Sequence, residues 1–253
     1  MKHRKEGERI AKVIARAGLC SRRDAERWIA DGRVNLNGET LRTPGVNVGP
    51  DDKILVDGKP LPEAQATRVF LYHKPVGLVT TARDEKGRET VFDNLPVGLP
   101  RVVSVGRLDL NSEGLLLLTN DGELARHLEL PANAWKRRYR VRVHGTVKAE
   151  DLARLAQGVT VEGMRYGPIE ARMECEQRGA NVWLEVALQE GKNREIRKVM
   201  AHLGLQVNRL IRTAYGPFDL GDLPPGAAVE VAAATLKGKI RGYFTDLQGT
   251  MRK

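Results

Sequence analysis

Only two cysteines occur in the 253 residues, Cys20 and Cys175, far apart and in no metal-ligand or redox spacing. That excludes a disulfide scaffold and fits a reducing compartment. No apolar run approaches the ~20 residues that cross a bilayer, and the start MKHRKEGER has no signal-peptide core. The expected location is therefore the cytoplasm, with no membrane partner. The five histidines, His3, His73, His127, His144 and His202, show no paired ligand spacing, so no metal site is expected. A Walker-type loop, a dinucleotide-binding glycine pattern and a nucleophile elbow are all missing, which argues against phosphoryl transfer, hydride transfer and serine hydrolysis. A metal-dependent nuclease would need clustered carboxylates, whereas Asp84-Glu85 sits in a glycine-containing loop and reads as solvated surface. Aromatic residues make up only 5%, so the core is aliphatic.

What is abundant is positive charge. Lys and Arg number 42 against 32 Asp and Glu, a net +10, and the excess is spread along the chain: residues 1–68 hold 14 against 10. A basic excess that is not confined to a tail favours a polyanion, because each neutralised phosphate releases counterions. Together with the missing motifs, this leaves cofactor-free chemistry on RNA. With 41% hydrophobic residues, the length supports one substantial core plus a smaller module.

The smaller module comes first. Ile10, Val13, Ile14 and Ala17 recur at helical spacing up to Gly18. Ser21 with Asp24 three residues on makes a shortened capping box for a second helix, whose apolar residues are Ala25, Trp28 and Ile29 and which stops at Gly32. Asn37-Gly38 between short apolar runs signals a tight hairpin. Both helices carry arginines. The run ERIAKVIARAGLCSRRDAERWIADGRVNLNGE resembles an S4-type RNA-binding domain, and that resemblance would place Ser21, Arg22, Arg23 and Arg33 on RNA phosphates. Such contacts orient the RNA instead of reading its sequence.

Residues 60–68, PLPEAQATR, read as a linker, which sets the expected domains at 8–66 and 67–245. In the second domain VFLYHKP, RVVSVGRL, GLLLLT, RYRVRVHG, ANVWLEVALQ and AAVEVA read as strands, with helices expected at 121–129, 149–156 and 193–203. No regular strand-helix repeat appears, so the fold class is α+β with a mixed, mainly antiparallel sheet. The last residues, KGKIRGYFTDLQGTMRK, read as a basic tail of doubtful order.

Three segments of this domain could converge on one site. GRLDLNSEG places Asp109 between two apolar runs, and a carboxylate held there needs a cation and hydrogen bonds to offset its desolvation. KRRYRVRVHG alternates, with Tyr139, Val141 and Val143 on one face. EGKNREIRKVM puts Arg197 in the first turns of a helix, where the macrodipole disfavours a cation, so Arg197 calls for an anionic partner such as Asp109.

In this order, and behind the S4-like module, these motifs resemble the RsuA/RluB-type branch of the pseudouridine synthases. The match includes YHKPVGLVTT, GRLDLNSEGLLLLTNDGELA, GKNREIR and NRLIRTAYG, with N-S-E after the aspartate where Thr-Ser or Thr-Cys is commoner. The resemblance implies that a uridine in ribosomal RNA is isomerised to pseudouridine without cofactor or metal. It makes Asp109 the essential carboxylate, acting either as a base at the ribose 2′ carbon or as a nucleophile at C1′. Arg197 would pair with Asp109 and keep it ionised, and Tyr139 would stack on the detached base and help move the C5 proton. The target must leave its helix or loop; Arg107 would stabilise the vacated position, while Leu210 and Ile211 would form an apolar wall. Overall similarity favours large-subunit ribosomal RNA and a monomeric enzyme. The alternatives are small-subunit ribosomal RNA, transfer RNA, or a non-catalytic S4-type assembly factor.

Overall fold

Gly18 and Gly32, both at positive φ (+83° and +75°), end the first two helices where the sequence places their stops. The computed structural model describes residues 7–63 and 65–245. Helix α1 spans Ile10–Arg16 and α2 spans Arg22–Ala30. Ser21 caps α2: its Oγ accepts the Asp24 N–H at 3.0 Å, and the Asp24 carboxylate accepts the Ser21 N–H at 3.4 Å. Asn37 and Gly38 both adopt positive φ, the requirement of a type I′ turn, and join β1 (Val34–Leu36) to β2 (Glu39–Leu41). With β3 (Ile54–Val56) and β4 (Lys59–Pro60) these form an antiparallel sheet in the order β2-β1-β3-β4. Ile10, Ile14, Ala25, Ile29 and Val34 fill this unit's own core.

The larger unit is built on a second sheet, from β5 (Val69–Lys74) and β6 (Glu113–Thr119), helix α3 (Gly122–Glu129), β7 (Arg137–His144) and α4 (Ala149–Arg154). A separate hairpin, β8 (Val159–Val161) and β9 (Met164–Tyr166), precedes β10 (Ile169–Met173) and β11 (Asn181–Leu188). The chain closes with α5 (Glu195–His202), β12 (Gln206–Tyr215), β13 (Ala228–Glu230), α6 (Ala233–Lys239) and α7 (Arg241–Phe244). The strand order is β10-β11-β7-β12-β6-β5-β13. Neighbours along this path are antiparallel except β12 and β6, whose parallel register sets Arg212 opposite Gly114. A mixed, mainly antiparallel α+β fold is thus observed.

Every residue of β6 is buried, because both faces of this strand are covered. Leu115 and Leu117 pack with α3, α6 and α7, while Leu116 and Leu118 pack with Phe70, Tyr72, Val91 and Leu108. Gly114 is indispensable where β6 meets β12. Its φ is +104°, and a Cβ there would lie 2.4 Å from the Arg212 carbonyl oxygen.

Three expectations need correction. Only Val103–Ser104 of RVVSVGRL forms a ladder; Gly106, at φ +66°, turns the rest into the loop that carries Asp109. Helix α5 starts at Glu195 and not at 193, since Arg194 is left-handed at φ +52°. The tail is ordered as far as it is described: Ile240 and Phe244 are buried against α3, and residues 246–253 lie outside the described residues. The end of the 60–68 linker is also fixed, because Thr67 donates to Asp121 at 2.7 Å and the Arg68 N–H to the Asn120 side chain at 2.8 Å.

Candidate active site

Asp109 sits half-buried in the loop between Gly106 and β6. The loop is tied from below by Lys74 at the end of β5, a fully buried lysine whose Nζ donates to the carbonyls of Pro75 (3.0 Å), Asp109 (3.2 Å) and Ser112 (2.9 Å). Burial pulls the Lys74 ammonium down to about 8, against the opposing pull of Asp109 and Glu113. A second tie closes the turn, as the Ser112 N–H donates to the Asp109 carbonyl at 3.0 Å. On the far side Thr80 Oγ1 donates to the Leu108 carbonyl at 2.9 Å. The carboxylate therefore rides on a loop whose backbone is held at three successive points.

Arg197 supports the same loop, but not as the sequence suggests. Its Nη2 donates to the Asn111 carbonyl at 2.7 Å and its Nη1 to the Val207 carbonyl at 3.1 Å. Among the described residues it forms no ion pair with Asp109; the two attract electrostatically across a gap. The physical reason is that two of its donors are taken by the backbone carbonyls of Asn111 and Val207, which lie within hydrogen-bond reach while the Asp109 carboxylate does not. Burial and neighbouring Arg194 weaken its hold on its proton, while Asp109 strengthens it. Its Nε is buried without a partner among the described residues.

Asp109 opens into a cavity of about 680 Å³, within the ~300–1,000 Å³ typical of small-ligand sites. Tyr139 lines it from β7, at a β-bulge, opposite Arg212 of β12. Leu210 and Arg212 share the cavity face of β12 by strand alternation, and the exposed Arg107 stands at the rim. Ile211, between Leu210 and Arg212, does not line the cavity, and neither does Arg197. The apolar wall is thus Leu210 with Ile196 and Leu188.

Sequence reasoning missed Lys74, Thr80 and Arg212. Arg212 is 2% exposed, donates through Nε to the Leu115 carbonyl at 2.7 Å, and keeps a buried Nη2 without a partner among the described residues. Its signal was parity: it lies two residues from Leu210 on one strand face. For Lys74 the signal was a cation ending the otherwise apolar run VFLYHK.

The four residues expected on RNA divide. Ser21 is engaged in the helix cap, Arg22 pairs with Glu26 at 3.4 Å, and Arg33 grips Asp57 through two hydrogen bonds of 2.9 and 2.5 Å. Arg23 is exposed and forms no ion pair among the described residues.

Comparison with known proteins bears on this geometry. Residues 68–202 match the family model for RNA pseudouridylate synthase, and residues 8–54 match that for the S4 domain. An uncharacterized RNA pseudouridine synthase of Rickettsia felis is 48% identical over 225 residues, 88% of this chain and 96% of that protein. The Pseudomonas aeruginosa protein named ribosomal large subunit pseudouridine synthase B is 44% identical over 218 residues, 83% of this chain and 56% of its own length. The Yersinia pestis protein of the same name is 42% identical, covering 89% of this chain and 73% of that one. A crystal structure of a pseudouridylate synthase superposes with a TM-score of 0.64 over 92% of this chain at 24% identity, a likeness of fold.

Proposed function

The chain belongs to the RNA pseudouridine synthase family, and from that premise we propose that it isomerises a specific uridine of large-subunit ribosomal RNA. The observation that carries this reading is the Asp109 loop, held by Lys74 and Arg197 at the mouth of a nucleotide-sized cavity shared with Tyr139. Residues 8–66 serve as the RNA-binding domain and 67–245 as the catalytic domain.

The reaction breaks the N1–C1′ bond, turns the uracil, forms a C5–C1′ bond and moves the C5 proton away, with N1 gaining a hydrogen. Atoms and electrons balance without oxidant, reductant or energy input, so no cofactor is required. Asp109 reaches the ribose of the extruded uridine, as a base at the 2′ carbon or as a nucleophile at C1′. Tyr139 stacks on the freed base and assists the C5 proton. Arg197 acts through the backbone of Asn111 and through its field on Asp109, which makes it a positioning residue. Arg107 at the rim occupies the position that the extruded base vacates, and Leu210 with Ile196 supplies the apolar wall. Ribosomal RNA as substrate also places the enzyme in the cytoplasm.

The test is to map pseudouridines in ribosomal RNA from cells lacking the protein, complemented with wild type or with Asp109→Asn. One large-subunit position restored only by wild type supports the reading. A lost position in small-subunit or transfer RNA redirects the target, and an unchanged map refutes the proposal.

A further inference from the structure

Residues 189–194 join β11 to α5, and the first residue of that helix, Glu195, is buried at 4% exposure. Its Oε2 accepts the Lys192 N–H at 2.9 Å. Its Oε1 is buried and meets no N–H or O–H donor among the described residues. What stands within hydrogen-bond reach of this side chain is a second carboxylate, Glu190. Two ionised carboxylates in such contact repel, and a buried acceptor without a donor leaves its desolvation unmet. One proton between them removes both faults.

Glu190 is the member that stays ionised. Burial works against its charge, but the Gly167 N–H and the Lys192 ammonium, at 2.7 Å, hold it below the ordinary carboxylate range. The same ammonium donates to the Arg165 carbonyl at 2.6 Å, so its hydrogen bonds go to Glu190 and β9 and not to Glu195. Glu195 keeps the proton: burial and Glu190 push its carboxyl up to about 7, over the opposing pull of Lys192. The helix macrodipole favours an ionised acid in this first turn, and here burial and the adjacent charge outweigh it.

The other charges around the turn are engaged elsewhere. Arg137 of β7 donates to the Gln189 carbonyl and Arg165 of β9 to the Gln157 carbonyl. On β12, which packs against α5, Arg209 grips Glu113 and Arg212 the Leu115 carbonyl. The other strand against α5, β8, has no titratable side chain in Val159–Val161. On α5 and its approach Arg194 and Lys198 are exposed, and Asp109 and Tyr139 share with Glu195 the lining of the cavity.

We infer that Glu195 is a positioning residue: with a proton on Oε1 it donates to the Glu190 carboxylate, and this bridge closes the turn that sets Ile196 on the cavity wall and Arg197 on the Asn111 carbonyl. Loss of the proton leaves two carboxylates in contact and opens the turn. This inference rests on the function proposed above.

The test uses the full chain and an unmodified transcript of large-subunit ribosomal RNA labelled with tritium at uridine C5. Turnover is read as tritium release at saturating transcript. When only the bridged form turns over, a group titrating at about 7 makes wild-type kcat fall about fourfold from about pH 6 to about pH 7.5. Glu195→Gln donates to Glu190 at every pH, so its kcat should match wild type at about pH 6 and hold within about twofold over that range. Lys74 is common to both chains, so the ratio of their rates isolates the bridge. Glu190→Gln gives Glu195 a fixed donor in place of a charge and should move its titration below about pH 6. The bridge is also read without turnover, by carbon-13 NMR of the glutamate carboxyls: one resonance titrates at about 7 in wild type and is missing from Glu195→Gln. A Glu195→Gln rate that falls with pH as wild type does, a flat wild-type profile, or a wild type in which no glutamate titrates above about pH 6 overturns the inference. If wild type releases no tritium at any pH, the proposed function fails, and the carboxyl titration still judges the bridge. Thermal melts check the fold of each variant, and should Glu195→Gln not fold, Glu190→Gln carries the same comparison.

Discussion

Arg197 donates to the carbonyl of Asn111 at 2.7 Å, so the guanidinium hydrogen-bonds the backbone two residues beyond Asp109 and reaches the Asp109 carboxylate only through its field. Together with Lys74 it places cationic donors on three carbonyls of the 109–112 loop. Charge-assisted hydrogen bonds of this kind contribute about 1.5–3 kcal/mol. Replacing Arg197 by Met should lower kcat by roughly 10- to 100-fold, since each 1.36 kcal/mol of barrier is about tenfold. Because Arg197 does not line the cavity, KM should change little, and steady-state kinetics separate the two effects. A variant that lost binding and kept kcat would place Arg197 on the substrate instead.

Lys74 gives the loop a pH signature. Its ammonium is pulled from 10.5 to about 8 by burial. Between those values the folded chain holds fewer protons than the unfolded chain, so the Lys74 contribution to stability rises with pH across that window. Over the same window the loop loses a charged donor. Turnover should fall above pH 8 while the stability of wild type relative to Lys74→Met improves, as measured by denaturant unfolding from pH 7 to 10. Both quantities falling together would contradict this account.

Asp121 has the opposite sign. Burial alone would raise its carboxyl, but Thr67, Arg16, the Leu124 N–H and Tyr243 together hold it below the ordinary range. Its contribution is present above the unfolded carboxylate value and is lost as pH falls through the depressed folded one. Asp121→Asn should therefore cost about 1–3 kcal/mol near pH 7, a deficit that narrows below about pH 4.

Tyr139→Phe removes only a hydroxyl from the cavity face of β7. RNA binding should stay within about twofold, while turnover slows by roughly 10²- to 10⁴-fold if the phenol moves the C5 proton. Unchanged tritium release would remove that role and leave stacking alone.

Much of this was legible in the sequence, for physical reasons. Asn37-Gly38 and the Ser21–Asp24 cap are local devices, set by neighbouring residues, and both occur as read. The all-buried β6 announced itself as GLLLLT. The contacts of the site are not local. Lys74 reaches across 35 positions to Asp109 and Arg197 across 86 to Asn111, contacts between distant segments that periodicity does not report. The resemblance puts Ile211 on the wall beside Leu210, whereas strand parity gives the cavity face to Leu210 and Arg212. The tail looked disordered because its lysines are visible in the sequence and the pocket that receives Ile240 and Phe244 is not.

The central claim is that the Asp109 carboxylate performs the isomerisation. Its most direct test is tritium release from C5-labelled large-subunit transcript by the purified full chain and by Asp109→Asn. The account requires release by wild type and none above background by Asp109→Asn, with Kd for the transcript unchanged. Release at the wild-type rate from Asp109→Asn would contradict it.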